Sequence, residues 1–300
     1  MGHIDHEVRR LLGKAINHYG LIGEGDRIAV AVSGGKDSML LLWLLRERLR
    51  RVPIKYEFIA VHVDPGFDSG ATGDQLEDYF KREGFSYEII RTDYGIKAHG
   101  PENRENPCFL CARLRRAALF TKARELGCRK IAFGHNQDDL IETFFINICY
   151  GAQVAGMVPR QEFFGGEITA IRPLALIPIP SIEKMVKRHG IPVLPSNCPS
   201  ADRNQRTEMR LILDGLIKKN PKVRGNIFRA MSNVNSEYLP PGLPARGKRG
   251  PALTPAGSVL SLSRGDNGKA HDNARDDDDA PGPISGSDGK SLKGQNEPAE

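Results

Sequence analysis

Six consecutive residues, Ser33-Gly34-Gly35-Lys36-Asp37-Ser38, combine two glycines, two hydroxyls, a lysine and a carboxylate between the apolar run 27–32 and a leucine-rich stretch that opens at Met39. Glycines at a strand-to-helix turn let backbone N–H groups close around phosphate oxygens, and the helix dipole favours the negative charge there. Lys36 adds a mobile cation. The glycines lie too close to the lysine for the GxxxxGK[ST] loop of kinase-type nucleotide enzymes. A glycine turn capped by Ser33 or Ser38 is the simpler alternative. Six ordered residues in a strand-loop-helix setting favour the phosphate reading.

Two carboxylate positions could serve the same ligand. Asp64 ends the apolar run 57–64 on the same expected sheet edge, where it either meets the ligand or closes the turn before Pro65-Gly66. Gly134-His135-Asn136-Gln137-Asp138-Asp139 forms a second strand-to-helix junction, with Gly134 and His135 expected beside the phosphate ligand. Asp138 and Asp139 offer hard oxygen ligands for Mg²⁺ on ATP phosphates, with Asp138 expected to take part most directly in the chemistry. Either aspartate also suits the cap of the following helix.

The five cysteines supply the remaining chemistry. Cys108-Phe109-Leu110-Cys111 is a CxxC at a helix start, and Cys198 stands far away in sequence. A CxxC serves a redox pair, half a zinc site or part of an iron–sulfur site; zinc would need a fourth ligand, for which only scattered histidines such as His99 and His135 are available. Three thiolates on a 4Fe-4S cluster would leave one iron open. Cys128 and Cys149 fall in apolar patterns and read as buried fillers.

The elements that must position these groups alternate in period. Strands are expected at 27–32, 57–64, 87–92 and 130–133, with helices at 5–18, 39–49, 74–82, 109–126 and 138–149, which predicts an α/β fold with a doubly wound parallel sheet. Beyond Gly151 come an apolar run at 168–176 and helices at 181–189, 206–218 and 223–236, a helical C-terminal extension. Residues 1–239 form the expected folded domain. From Pro240 to Glu300 there are 8 prolines, 10 glycines, no aromatic residue and the run Asp276 to Asp279, so 240–300 is expected to be a disordered tail.

Charge points to a polyanionic partner. The tail holds 8 basic and 9 acidic residues, leaving 35 basic and 28 acidic ahead of it, a net of +7. One basic group spans Arg113, Arg115, Arg116, Lys122, Arg124, Arg129 and Lys130. A second spans Arg203, Arg206, Arg210, Lys218, Lys219, Lys222, Arg224 and Arg229. No stretch approaches the roughly 18 to 20 apolar residues that cross a bilayer, and the N-terminus lacks a signal core, so no membrane partner and a cytoplasmic location are expected.

Ser33 to Ser38 matches the SGGxDS signature at every fixed position and resembles the PP-loop of the ATP pyrophosphatases, with their adenine nucleotide alpha-hydrolase-like fold. Residues 5–239 are similar to the tRNA 2-thiocytidine synthetase (TtcA) family. The similarity is carried by that loop, by Cys108 to Arg116, by Gly134 to Thr143 and by Arg172-Pro173-Leu174. Familiar members carry a second CxxC followed by Gly-Ser, whereas here Ser196 replaces its first cysteine and Pro199-Ser200 follows Cys198.

The resemblance implies an ATP-dependent tRNA sulfurtransferase with Mg²⁺ that adenylates O2 of a cytidine, position 32 of the anticodon loop, and replaces that oxygen with sulfur. It implies a 4Fe-4S cluster on Cys108, Cys111 and Cys198, ATP on Ser33, Gly34, Gly35, Lys36, Asp37 and Ser38, and catalytic roles for Lys36, Asp138 and Arg115. Arg115 would steady phosphates or developing charge, or else face RNA or solvent. A sulfur donor such as a cysteine desulfurase is implied, and a homodimer is compatible with it. The alternatives are a uridine-type 2-thiolation enzyme (TtuA-like), which normally adds zinc-binding CxxC modules absent here, a non-enzymatic ATP-binding iron–sulfur redox sensor, and another PP-loop ligase.

Overall fold

Ile28, Val30 and Val32 pack into one core while Ala29 and Ala31 pack into another, because successive strand side chains point to opposite faces. Strand β1 (Arg27–Ala31) is therefore covered on both sides and sits inside a six-stranded sheet. The computed structural model describes residues 2–68, 70–195, 197–200 and 205–239. The expected tail 240–300, Ser196 and Arg203 lie outside them. The chain divides into Met1–Glu237 and Tyr238–Glu300, and the sheet belongs to the first unit.

One side of β1 pairs in parallel with β2 (Glu57–Asp64), which pairs in parallel with β3 (Tyr87–Arg91). The other side pairs with β4 (Lys130–Ala132), beyond which lie β6 (Ile168–Ile171) and the antiparallel edge strand β5 (Arg160–Phe163). The chain thus runs outward from β1 to β3 and then returns to β4, making a topological switch point between β1 and β4. Ligands of open α/β sheets bind at such a point, outside the carboxyl ends of the strands. The Ser33 loop follows β1 and the Gly134 junction follows β4, so the topology brings them together.

Helices α1 (His3–His18), α2 (Lys36–Leu49), α3 (Ala71–Glu83) and α7 (Ile179–His189) cover one face through Leu12, Leu41, Phe80 and Ile182. Helix α5 (Pro107–Glu125), preceded by the short α4 (Tyr94–His99), covers the other through Leu119 and Phe120. Helix α6 (Gln137–Gly151) carries α8 (Gln205–Lys219) and α9 (Lys222–Ala230), with Ile141, Met209 and Leu213 between them. Among the described residues no helix is long and apolar enough to cross a membrane.

Local expectations change in several places, the short helix α4 among them. Lys36, Asp37 and Ser38 form the first turn of α2 instead of a loop ahead of Met39. Strand β5 was not expected, since Arg160, Gln161 and Glu162 are exposed and show no apolar alternation. Its pairing with buried β6 through the Phe164-Gly165-Gly166 turn makes it a strand. Helix α9 stops at Ala230 instead of 236, ahead of Ser232 and Asn233, whose side chains favour turns.

Candidate active site

Gly34 has φ +85°, a conformation glycine adopts without strain, and its carbonyl accepts from Leu194 N at 2.9 Å. Gly35 then caps α2. The first α-helical bond is Met39 N to Gly35 O at 3.1 Å, so the N–H groups of Lys36, Asp37 and Ser38 have no acceptor within their own helix. Ser38 Oγ ties the loop by accepting from Ser33 N at 3.1 Å and donating to Gly35 O at 3.0 Å. The result is a pre-shaped, electropositive turn at a helix N-terminus, suited to phosphate.

The junction after β4 closes on this turn. A Cβ on Gly134 would lie 2.8 Å from Ser38 N and 3.0 Å from Asp37 C, so only glycine permits the contact. Asn136 caps α6 by accepting from Asp138 N and Asp139 N, and its Nδ2 donates to Asp37 Oδ1 at 3.1 Å. Its backbone N donates to Asp139 Oδ2 at 2.9 Å. Asp37 and Asp139 thereby approach each other across Asn136. Burial pushes the Asp37 carboxyl up, with Lys36 opposing and Asp139 adding to the rise.

A cleft of about 710 Å³ opens from the turn, lined by Ser33, Gly35, Asp37, Ser38, Gly134, His135 and Asp139, with Phe120, Phe133 and Phe163 supplying apolar surface. Four arginines line it: Arg115, Arg116, Arg172 and Arg206. Arg172 follows β6 directly, at the same sheet edge as Ser33 and Gly134. It is 7% exposed, and burial next to the like charge of Arg116 brings its pKa down to about 10. Its Nη1 donates to Val158 O at 2.6 Å while its buried Nε has no hydrogen-bond partner. An arginine held at that cost beside another suits a polyanion. Its place in Arg172-Pro173-Leu174 was the available signal, but the sequence assigned it no role.

Cys108, Cys198 and Arg115 come close enough to Cys111 to act on its thiol. Burial raises the Cys111 thiol; the positive charge of Arg115 opposes the rise, and the neighbouring Cys198 and Cys108 add to it. Two staples bring Cys198 there: Asn197 Nδ2 donates to Asp68 Oδ2 at 2.8 Å, and Ser200 Oγ lies 2.9 Å from His99 Nε2. His99 Nδ1 is engaged with Gly95 O at 2.9 Å, so His99 braces the loop and has no ring nitrogen left for zinc. Among the described residues no three Cys, His, Asp or Glu side chains converge to hold a single metal ion. Zinc needs all its ligands on one atom, whereas a cubane cluster spreads its thiolates over separate irons. Cys108, Cys111 and Cys198 are the thiols that a cluster would use here.

Comparison with known proteins decides the family. The PP-loop domain model matches residues 4–213. The tRNA-cytidine(32) 2-sulfurtransferase of Geobacter sulfurreducens is 40% identical over 237 residues, covering 78% of this chain and 91% of the relative. That of Syntrophotalea carbinolica is 40% identical over 236 residues, covering 78% and 91%. The chain belongs to the tRNA 2-thiocytidine synthetase family of PP-loop enzymes. A U34-tRNA thiolase from Methanococcus maripaludis, solved with its [4Fe-4S] cluster, superposes with TM-score 0.66 at 24% identity over 77% of this chain and 78% of that one, which shows the shared fold.

Within this PP-loop enzyme the expected site residues divide. Ser33, Gly35, Asp37, Ser38, Gly134, His135, Asp139 and Arg115 line one cleft, whereas Gly34, Lys36, Asp64 and Asp138 do not. Asp138, the residue expected to act most directly, is engaged away from the cleft. Its Oδ1 accepts from Arg224 Nε at 2.7 Å and its Oδ2 from Ile179 N at 2.8 Å, because the first turn of α6 aims it at α9 and α7. Asp64 is buried, with Oδ1 accepting from Gly66 N at 2.8 Å, the turn-closing alternative. Lys36 Nζ lies 3.6 Å from Asp37 Oδ2. Cys128 is buried as expected, but Cys149 is exposed, since the last turn of α6 extends past the core.

Proposed function

We propose that this enzyme thiolates tRNA, replacing O2 of cytidine 32 in the anticodon loop with sulfur at the expense of ATP. The observation that carries the reading is Arg115, which lines the cleft beside the phosphate turn and whose charge also acts on the Cys111 thiol. Nucleotide chemistry and thiol chemistry thus share one side chain.

In this reading the α2 turn and Arg172 bind the polyphosphate, and Asp37 with Asp139 would hold Mg²⁺, which would neutralise phosphate charge there. Cytosine O2 attacks the α-phosphorus, the bond to the bridging oxygen of the β-phosphate breaks, and pyrophosphate leaves. Arg115 and Arg116 stabilise the charge that develops, in a cleft with apolar walls. Sulfide then attacks C2, the C2–O2 bond breaks, and AMP departs with the oxygen. A 4Fe-4S cluster on Cys108, Cys111 and Cys198 would supply an iron without a protein ligand that keeps sulfide deprotonated and near. The basic surface of α5 and α8 receives the tRNA, so binding weakens as salt rises.

Nucleoside analysis of tRNA from cells lacking the protein tests the reading. Loss of 2-thiocytidine with uridine thiolation intact is expected; unchanged 2-thiocytidine overturns it. The 40% identity to cytidine-modifying relatives favours cytidine over a uridine-type base.

A further inference from the structure

Phe109 occupies the CxxC between the two cysteines and is 61% exposed, although water disfavours an uncovered aromatic ring. It sits in the first turn of α5, where Asn106 Oδ1 accepts from Cys108 N at 3.0 Å and from Phe109 N at 3.3 Å. Helical periodicity aligns positions 109, 112, 116 and 120 along one stripe. Ala112, Arg116 and Phe120 of that stripe line the cleft, so Phe109 stands at its outer end, beside the thiols.

The ring is flanked by positive charge. The Arg113 guanidinium carbon lies 5.5 Å from the Phe109 centroid, and Arg113 Nη2 is bonded to Glu105 Oε1 at 3.2 Å. Arg104 and Arg116 are exposed nearby in sequence. A planar apolar surface among arginines, continuous with a nucleotide-sized cleft, matches an unpaired nucleobase with its phosphates. Aromatic rings bind such bases by stacking, and arginines meet the backbone. A protein partner would be met by a broader apolar surface than one ring among charges.

We propose that Phe109 is a stacking platform for an unpaired base of the RNA substrate, next to the base that enters the cleft. It rests on the function proposed above. Phe109 is a positioning residue: it holds the loop open and takes no part in adenylation or sulfur transfer.

The cluster-loaded full chain is titrated with a fluorescent anticodon stem-loop RNA at fixed salt, comparing wild type with Phe109→Ala, Phe109→Leu and Phe109→Trp. Loss of the ring raises Kd roughly tenfold for Ala and for Leu, while Trp binds at least as tightly as Phe. A fully paired RNA of the same sequence shows no difference among the four. In turnover with inorganic sulfide the Ala variant raises KM for tRNA while kcat and KM for ATP stay near wild type. Leu binding as tightly as Phe overturns the proposal, as does a defect that appears only with a protein sulfur donor. Absence of 2-thiocytidine formation by the wild type would count against the proposed function, whereas a flat Kd series on active enzyme counts against stacking alone.

Discussion

The Cβ that Gly134 lacks would sit 2.8 Å from the backbone nitrogen of Ser38, so the β4–α6 junction and the phosphate turn meet through bare backbone. Gly134→Ala must displace one of them. Overpacking at a tight backbone contact costs about 1–3 kcal/mol. The expected result is a lower denaturation midpoint with weakened ATP binding, read by denaturant titration and equilibrium dialysis. ATP affinity at the wild-type level would show that the close contact is irrelevant to the nucleotide.

Asp138 joins α6 to α9 through Arg224 and to α7 through Ile179 N. Its side chain is 11% exposed and that of Arg224 is 20%. Removing one partner strands the other, so Asp138→Ala is expected to destabilise the fold by about 3 kcal/mol, and the double change with Arg224→Ala by less than the sum. The Mg²⁺ concentration for half-maximal ATP cleavage stays unchanged in Asp138→Asn and rises in Asp37→Asn. A raised Mg²⁺ requirement without loss of stability in Asp138→Asn would make it a metal ligand.

Asn197–Asp68 and Ser200–His99 flank Cys198 and hold it toward Cys111. Supporting residues of this kind change metal affinity by roughly tenfold or more. After anaerobic reconstitution, Asn197→Ala and His99→Phe are expected to lose iron to a chelator faster than wild type, with Cys128→Ala unchanged. Equal retention in all four proteins contradicts the brace.

His135 has its pKa brought down to about 4, chiefly by burial, with Asp139 opposing and Arg172, Arg206 and Arg116 adding. Its ring stacks on Phe133 with centroids 5.5 Å apart. The unfolded chain takes up this proton near the ordinary value of 6.5, so between about 4 and 6.5 the unfolded state binds more protons. Its contribution to stability is therefore complete above pH 6.5 and is lost as pH falls toward 4. In His135→Gln the stability-against-pH curve is expected to flatten in that window. An unchanged slope would place the acid sensitivity elsewhere.

The phosphate turn was legible because its ligands are backbone N–H groups, and a local run of small residues is enough to expose them. The parallel sheet was legible from alternating periods, each strand and helix carrying its own apolar pattern. Strand β5 was not, since its identity comes from its partner β6. Asp138 and Asp139 are neighbours in sequence with similar local prospects. Helix geometry turns them about 100° apart, so one lines the cleft and the other meets Arg224 and Ile179 N.

By itself the sequence determined the family, the phosphate turn and the supply of three thiols, all of which depend on residue type and short spacing. Tertiary structure decided which carboxylates share the cleft, that Arg172 joins Arg115 and Arg116 there, and that Cys198 comes to Cys111. Those placements depend on strand order and on side chains far apart in the chain, such as Asp68 with Asn197 and His99 with Ser200. The Ser33 turn therefore announced itself locally, but its neighbours were chosen by the switch point between β1 and β4, where the sheet opens and both junctions must meet.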